Sequence, residues 1–569
     1  MPISVSAWGR RSCQIAQAQR HAARADPHDQ MPLPAWSNHA AAVAVAARMP
    51  GIGWLLALLL ALALGGCGTL PPAPPRPAST MLAPDLTSPL TRIAIASTPA
   101  DDQSGVRLLP HGGYSLEARL QLAQRATRSL DVQYYVLEND GTGRLLLTAL
   151  RDAAARGVRV RLLVDDLYTS RTDELLRGLA AFPNVEVRLF NPFCCARNRG
   201  TAARFAVALW DFSRLNHRMH NKLFIADGSM AIAGGRNIAD EYFLRHTSQN
   251  FVDMDAFVVG AVVRDLGAIF DRYWNSEVVY PIEAVGPTRR DAAQARAAFD
   301  AAMAVGPPAP PLDLPPVDVL GYGPIGEEFE SGRIGLVWGK ARAFADPPEK
   351  VRSMTREMAY ETSVTNDVMM NVWRAEDELV ITSPYLIPGS LGMQSFENLR
   401  RANVKVTVVT NSLAATDEPL VHNGYARYRG RLLATGVDLY ELSPTRTQKT
   451  VRLGMFGSSL GRLHAKTAVV DKKRVFIGSM NLDPRSANAN TELGMFIDSP
   501  ALAKELLRVV SISRLEGAYR VRLHPGSSRL EWLTLDEDRE IVLGVEPESS
   551  WWLRLHNMLL GWFVPEQLL

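Results

Sequence analysis

Two short stretches of this sequence carry the same chemical groups at the same spacing. The first is His220-Asn221-Lys222 leading to Asp227; the second is His464-Ala465-Lys466 leading to Asp471. A small-residue turn and an amide follow each, Gly234-Gly235-Arg236-Asn237 and Gly478-Ser479-Met480-Asn481. Side chains two positions apart on a strand share a face, so each His–Lys pair can address one ligand. The residues just after the pairs, LFIAD and TAVVD, are strand-like. One such pair is weak evidence, whereas two copies with one HxKxxxxD spacing and a matching Gly/Ser–Asn turn are strong.

The residue types suit an anionic ester that resists attack. Displacement at a phosphodiester needs a neutral nucleophile, which an imidazole supplies. It also needs donors around the phosphate oxygens, which Lys222, Lys466, Asn237 and Asn481 supply. The second imidazole protonates the departing alkoxide and later takes a proton from the acceptor. Two lysines offset the phosphate charge, so this chemistry calls for neither metal nor cofactor. Asp227 and Asp471 read as structural acceptors near their turns.

Elements must bring the two motifs together, and the sequence repeats itself once. SLDVQYYVLENDGTGRLLLTALRDAAARGVRVRLLVDDL (129–167) and ELVITSPYLIPGSLGMQSFENLRRANVKVTVVTNSL (378–413) each read strand, turn, amphipathic helix, strand. In the first, Leu145, Leu146, Leu150 and Ala153 fall on one helical face. Such a unit predicts a parallel strand pair with a crossover helix. Val158 to Val404 spans 246 positions and His220 to His464 spans 244, so the repeat and the motifs keep register. The expected fold is α/β: two duplicated halves, each a mixed, mostly parallel sheet flanked by helices. A pseudo-two-fold axis relates them, with the active site at the seam. The expected boundaries are 93–285 and 326–569, with a linker at 286–325 around GPPAPPLDLPP.

The net charge of +3 resides in residues 1–66, which hold five Arg against two Asp; the remainder balances at 57 basic and 57 acidic. A neutral body argues against a nucleic-acid partner, which usually leaves a basic footprint. Four cysteines are too few for a disulfide framework, and the adjacent Cys194 and Cys195 read as two small buried apolar residues. Trp54–Leu64, WLLALLLALAL, has the length of a signal-peptide core and ends in Leu64-Gly65-Gly66-Cys67. Residues 49–66 therefore read as a lipoprotein-type signal, with Cys67 lipidated. A plain secretory signal or uncleaved anchor is the alternative. Residues 1–48 read as an upstream extension, untranslated or disordered, and the Pro-rich 67–92 as a solvated tether. The expected location is the cell envelope, on the periplasmic face of a membrane.

The paired HxKxxxxD–G(G/S)xN motifs closely resemble the phospholipase D superfamily, and the resemblance runs through most of the chain after about residue 90. In finer detail the chain is similar to the cardiolipin synthase C type of bacterial lipid enzyme. The segments LDVQYYVLENDGTG, NSLAATDEPLVHNGYARYR and LHAKTAVVDKKRVFIGSMNLDPRSANANTELG carry that likeness. The resemblance implies a two-step path through a phosphohistidine, with His220 as nucleophile and His464 as acid and base; spacing alone leaves the swapped assignment open. It also implies a downstream carboxylate that fixes each tautomer. Asp253 fits for His220, with Asp255 as rival, and Glu492 fits for His464. The implied reaction moves a phosphatidyl group onto phosphatidylglycerol, from phosphatidylethanolamine or a second phosphatidylglycerol. Hydrolysis to phosphatidic acid, nuclease chemistry and non-catalytic lipid binding are the alternatives. The expected partners are these phospholipids and a membrane surface; a helper protein is not readable.

Other residues invite plainer readings. His217 reads as a local structural or surface histidine. His422 and Tyr425 either line an acceptor site or lie on a helix surface facing the cleft. The carboxyl-terminal WWLRLHNMLLGWF (551–563) packs on the protein's own core or lies in a lipid interface.

Overall fold

The computed structural model describes residues 70–566, apart from 71, 195–199, 201, 205–210, 287–289, 306–311, 313, 353–362, 450–459, 537–538 and 562–564. The upstream extension, the signal segment, Cys67 and most of the 306–316 linker lie outside the described residues.

The first half runs β1 (Ser104–Leu109), α1 (Gly112–Arg125), β2 (Ser129–Tyr134), α2 (Gly141–Ala155) and β3 (Arg159–Asp165). It continues through β4 (Val185–Phe190), β5 (Leu223–Ala226), β6 (Met230–Gly234), β7 (Gln249–Val252), β8 (Asp255–Gly260), α3 (Ala261–Trp274) and β9 (Val279–Pro281). The second half opens with β10 (Val337–Ala345), β11 (Glu378–Thr382), α4 (Gly389–Arg401), β12 (Lys405–Asn411), α5 (Pro419–Ala434) and β13 (Asp438–Leu442). Then come β14 (Leu460–Leu463), β15 (Thr467–Val470), β16 (Arg474–Gly478), β17 (Leu493–Asp498) and α6 (Pro500–Glu516). The chain closes with β18 (Ala518–Leu523), β19 (Leu530–Asp536), β20 (Arg539–Leu543) and α7 (Trp551–Gly561).

Hydrogen bonding strings all the described strands but β7 and β14, which pair with each other, into one sheet, β9-β4-β3-β2-β5-β6-β8-β1-β10-β17-β16-β15-β11-β12-β13-β18-β19-β20. Read outward from the antiparallel β1–β10 pair, the order is the same on both sides: β8, β6, β5, β2, β3, β4 answer β17, β16, β15, β11, β12, β13. That is the duplication expected from the repeat. The pairs β2–β3 and β11–β12 are parallel, as their strand–helix–strand units require. Among the described strands the other parallel pairs are β3–β4, β12–β13 and β7–β14. The mixed sheet is therefore mostly antiparallel, not mostly parallel as the sequence suggested. The reason is local: each HxK motif opens a tight β5–β6 or β15–β16 hairpin, and hairpins pair antiparallel.

The crossover helix α2 starts where the Asp140 side chain accepts the amide of Gly143 (2.9 Å). It buries Leu146, Leu147, Leu150 and Ala153, while Leu145 is only half-buried. Gly157, at φ +91°, then turns the chain into β3. The Pro-rich segment before the body is extended and largely exposed over its described part, yet it is also tied to the first half. Arg76 donates to the Ser276 carbonyl (2.6 Å) and Met81 N–H donates to Asp271 (2.8 Å). Arg161 donates to the Ser79 carbonyl (2.9 Å). Cys194 is disulfide-bonded, not the free thiol expected; Cys195 lies outside the described residues.

Candidate active site

His220 and His464 each sit in an extended lead-in, three residues ahead of β5 and β15, not within those strands. What positions them is pairing across the seam. Just before His220, Met219 bridges Thr491 of the other half, and the His220 N–H donates to the Thr491 carbonyl (2.8 Å). Just before His464, Leu463 pairs in parallel with Val252, and the His464 N–H donates to the Val252 carbonyl (2.8 Å). The residues following Thr491 and Val252 are Glu492 and Asp253. Each histidine is thereby laid beside the carboxylate of the opposite half.

The side chains complete that exchange. His220 Nδ1 meets Glu492 Oε2 at 2.9 Å, and His464 Nδ1 meets Asp253 Oδ2 at 2.7 Å. The pairing expected from the sequence, Asp253 with His220 and Glu492 with His464, is thus reversed. Asp255, the rival, belongs to a buried structural cluster with Arg119 (2.9 Å), Ser115 (2.7 Å) and Arg236. All four members of the two pairs are buried.

An ionised carboxylate only accepts, so each Nδ1 carries the proton and each Nε2 is left with its lone pair. Burial is the main force on the rings. It pushes His220 down to about 4, with Glu492 pulling up and Lys222 pushing further down. His464 is also lowered, by burial and then Lys466, against the pull of Asp253. Burial alone would raise the two carboxyls, but their histidine partners outweigh it and both stay below their usual range. At neutral pH the site therefore holds two neutral imidazoles and two carboxylates.

Lys222 and Lys466 each donate to the carbonyl of their own motif's histidine, Lys222 at 2.5 Å. Burial lowers both, Lys222 far below its ordinary value and Lys466 to about 8. Each lysine also feels the other half: Lys466 pushes Lys222 down and Asp253 pulls Lys466 up. An entering phosphate anion favours the charged form of both. Asn481 Oδ1 is buried with no hydrogen-bond partner, whereas Asn237 donates to Tyr242 Oη (2.9 Å) and accepts from Val136 N–H (3.3 Å).

The two halves differ at one informative position. Ser479 donates to Glu492 Oε2, and Ser486 donates to Glu492 Oε1 (2.8 Å). At the equivalent of Ser479 stands Gly235, where a Cβ would collide with Asp253 Oδ1. Asp227 and Asp471 hold strand starts: Asp227 accepts from the N–H groups of Arg128 and Ser129 (both 2.9 Å), and Asp471 from Asp377 (2.8 Å) and Glu378 (3.0 Å).

Several surrounding groups escaped the sequence reading. Tyr135 stands edge-on to His220 at 5.1 Å between ring centroids; Tyr242 and Phe251 flank His464 at 5.2 and 4.9 Å. Asp346 accepts the Glu492 N–H (2.8 Å). Asp417, whose charge reaches His464 and Lys466, accepts from Tyr385 Oη (2.8 Å). Only the Ser of the second Gly/Ser turn had a sequence signal. His217 is tied to the Ser213 carbonyl (2.7 Å), off the His–Lys pair. His422 and Tyr425 are buried in a network with Glu546 (3.0 Å) and Glu441 (2.7 Å), not on a helix surface. Among the described residues no group of three or more His, Cys, Asp or Glu side chains is arranged to hold a metal.

A family model described as "Cardiolipin synthase, PLD-like domain" matches residues 120–274 and 370–511, one match around each His–Lys pair. This chain belongs to the phospholipase D-like cardiolipin synthase family. It is 38% identical over 465 residues to cardiolipin synthase C of Escherichia coli, covering 79% of this chain and 93% of that one. It is 31% identical to an uncharacterized protein of Helicobacter pylori, covering 80% and 87%. It is 25% identical to a cardiolipin synthase of Staphylococcus aureus, covering 70% and 65%. Among solved structures, the phosphatidylserine synthase of Haemophilus influenzae superposes with a TM-score of 0.52 at 13% identity, over 88% of this chain and 96% of that one, a likeness of fold. The family's two motifs are the two whose partners are exchanged here.

Proposed function

We propose that the chain is a phosphatidyltransferase that makes cardiolipin through a phosphohistidine. The exchanged His–carboxylate pairs carry this reading. Two imidazoles with free Nε2 lone pairs, flanked by Lys222 and Lys466, suit a displacement at one phosphodiester. The entering phosphate anion draws a proton from solvent onto His464 Nε2, making the imidazolium that Asp253 stabilises; His220 Nε2 then bonds to phosphorus while the headgroup oxygen leaves with that proton. His464 then takes the proton of a phosphatidylglycerol hydroxyl, whose oxygen displaces His220. The hydroxyls of Ser479 and Ser486 spread the charge of Glu492 and so favour a neutral His220, which supports His220 as the nucleophile. Asp253, without an equivalent of Ser479, keeps more of its charge for the imidazolium of His464. The donor lipid is phosphatidylglycerol or phosphatidylethanolamine.

In this reading the chain is exported and held at a membrane surface by a lipid on Cys67. Support comes from the apolar run 54–64 and the small residues before Cys67. Fatty-acid label retained by a Cys67→Ala variant would overturn that anchor.

The deciding experiment uses vesicles of labelled phosphatidylglycerol, with and without phosphatidylethanolamine, for wild type and His220→Ala. Cardiolipin from wild type alone is expected, and its ethanolamine dependence names the donor. Phosphatidic acid as the sole product would make the enzyme a hydrolase.

A further inference from the structure

The last described helix is inverted. In α7 the buried positions are Asn557 and Gly561, which pack on α5. Asn423 on α5 donates to the Asn557 carbonyl (2.9 Å), and Arg427 donates to the Gly561 carbonyl (3.0 Å). A Cβ at position 561 would collide with the Asn423 amide, so glycine is what lets the helices meet. At 3.6 residues per turn, Trp552, Leu555 and Leu559 fall on the opposite face, with Trp551 and Met558 along one side of it. Trp551 is 66% exposed, Trp552 61%, Met558 47% and Leu559 45%. An ordinary surface helix buries its apolar stripe; this one buries the polar stripe and turns the apolar one outward.

We propose that the outward face of α7 docks the enzyme onto the surface of an anionic phospholipid bilayer. Three observations favour lipid over a protein partner. Paired tryptophans over an aliphatic stripe are the composition of an interfacial helix. From Trp551 to Gly561 the helix carries the exposed His556 and no carboxylate, while Arg554 donates back to the Ser549 carbonyl (3.0 Å), so nothing on the helix repels an anionic surface. Its support, α5, begins right after Asp417 and Glu418, and Asp417 bears on His464 and Lys466 of the catalytic site. A bilayer held against α7 is thus presented beside the cleft that must draw lipids from it. This choice of occupant rests on the phosphatidyltransferase reading above. Among the described residues no helix is long and apolar enough to cross a membrane, so α7 lies in the surface and does not span it.

The test takes the full chain in vesicles of phosphatidylglycerol and phosphatidylethanolamine, with and without acyl chains brominated near the headgroup. Tryptophan emission is compared between wild type and a Trp551→Ser, Trp552→Ser double variant. Both positions are exposed, and the other tryptophans contribute equally to both proteins. The proposal expects brominated lipid to quench wild type more than the variant, and the wild-type excess emission to lie to the blue. Equal quenching would overturn it. A wild type that is dimeric in detergent while the variant is monomeric would also overturn it, marking the face as a contact between copies. Cardiolipin is assayed in the same vesicles. Excess quenching without cardiolipin sinks the catalytic reading and leaves docking standing; cardiolipin without excess quenching does the reverse.

Discussion

The exchanged pairing predicts which carboxylate serves which chemical step. Consider bis(4-nitrophenyl) phosphate, whose nitrophenolate leaves without a proton. Its first displacement needs the nucleophile but not the general acid. Glu492→Gln keeps the shape beside His220 Nδ1 but removes the charge that steadies the ring as it gains a bond to phosphorus. A hydrogen bond to a charged group is worth about 1.5–3 kcal/mol, and each 1.36 kcal/mol is tenfold in rate. The nitrophenolate burst should therefore slow by about 10- to 160-fold. Asp253→Asn acts on His464, so its burst should stay close to wild type while the steady-state rate after the burst falls, because the second step needs a general base. Stopped-flow absorbance reads both phases. A burst slowed by Asp253→Asn and left intact by Glu492→Gln would mean that Asp253 serves the attacking histidine: mapping the phosphorylated residue to His220 would then refute the exchanged pairing, and mapping it to His464 would reverse the two catalytic roles.

The sequence disclosed the duplication, both His–Lys pairs and both Asn residues, because each belongs to a local pattern that repeats at nearly constant spacing; the two carboxylates came from the family resemblance. It did not disclose which carboxylate meets which histidine. Asp253 follows His220 by 33 positions and Glu492 follows His464 by 28, so proximity in the chain suggested pairing within each half. Tertiary geometry overrides that: the Leu463–Val252 and Met219–Thr491 pairings cross the seam and carry the neighbouring carboxylates with them. The sheet's balance was misjudged for a related reason. The strand–helix–strand units are the longest periodic signals, and they are the parallel ones. The short strands around each motif give little periodicity, yet they pair antiparallel and outnumber the rest. Residues such as Tyr135, Phe251 and Asp346 reach the site from elements with no motif at all. The inverted face of α7 was ambiguous for a similar reason: its apolar stripe was legible, but its direction depends on Asn557 and Gly561 meeting α5.

Exchanging the small residues of the two turns should have unequal effects. Gly235→Ser drives a side chain into Asp253 and should nearly abolish cardiolipin formation, whereas Ser479→Gly removes one hydroxyl from Glu492 and should cost roughly tenfold, at the low end for a bond to a charged group; thin-layer product analysis reads both, and equal losses would deny the asymmetry. The buried histidines should also make the fold acid-sensitive before its carboxylates titrate. His220 titrates at about 4 in the folded chain against an ordinary 6.5, so the unfolded chain binds the proton more readily. Its contribution is fully present above 6.5 and is lost as pH falls toward 4. Between pH 7 and pH 5 that loss is about 2 kcal/mol. The lowered Glu492 has the same sign, but its contribution disappears only below its ordinary 4.5, outside this window. His464 is lowered as well, so His220→Asn should remove part of the acid sensitivity and leave the rest. Urea unfolding at the two pH values should therefore show wild type losing about 2 kcal/mol more than His220→Asn. Equal losses would mean that His220 titrates alike in the folded and unfolded chain, and that the ring is not held neutral by burial as the active site requires.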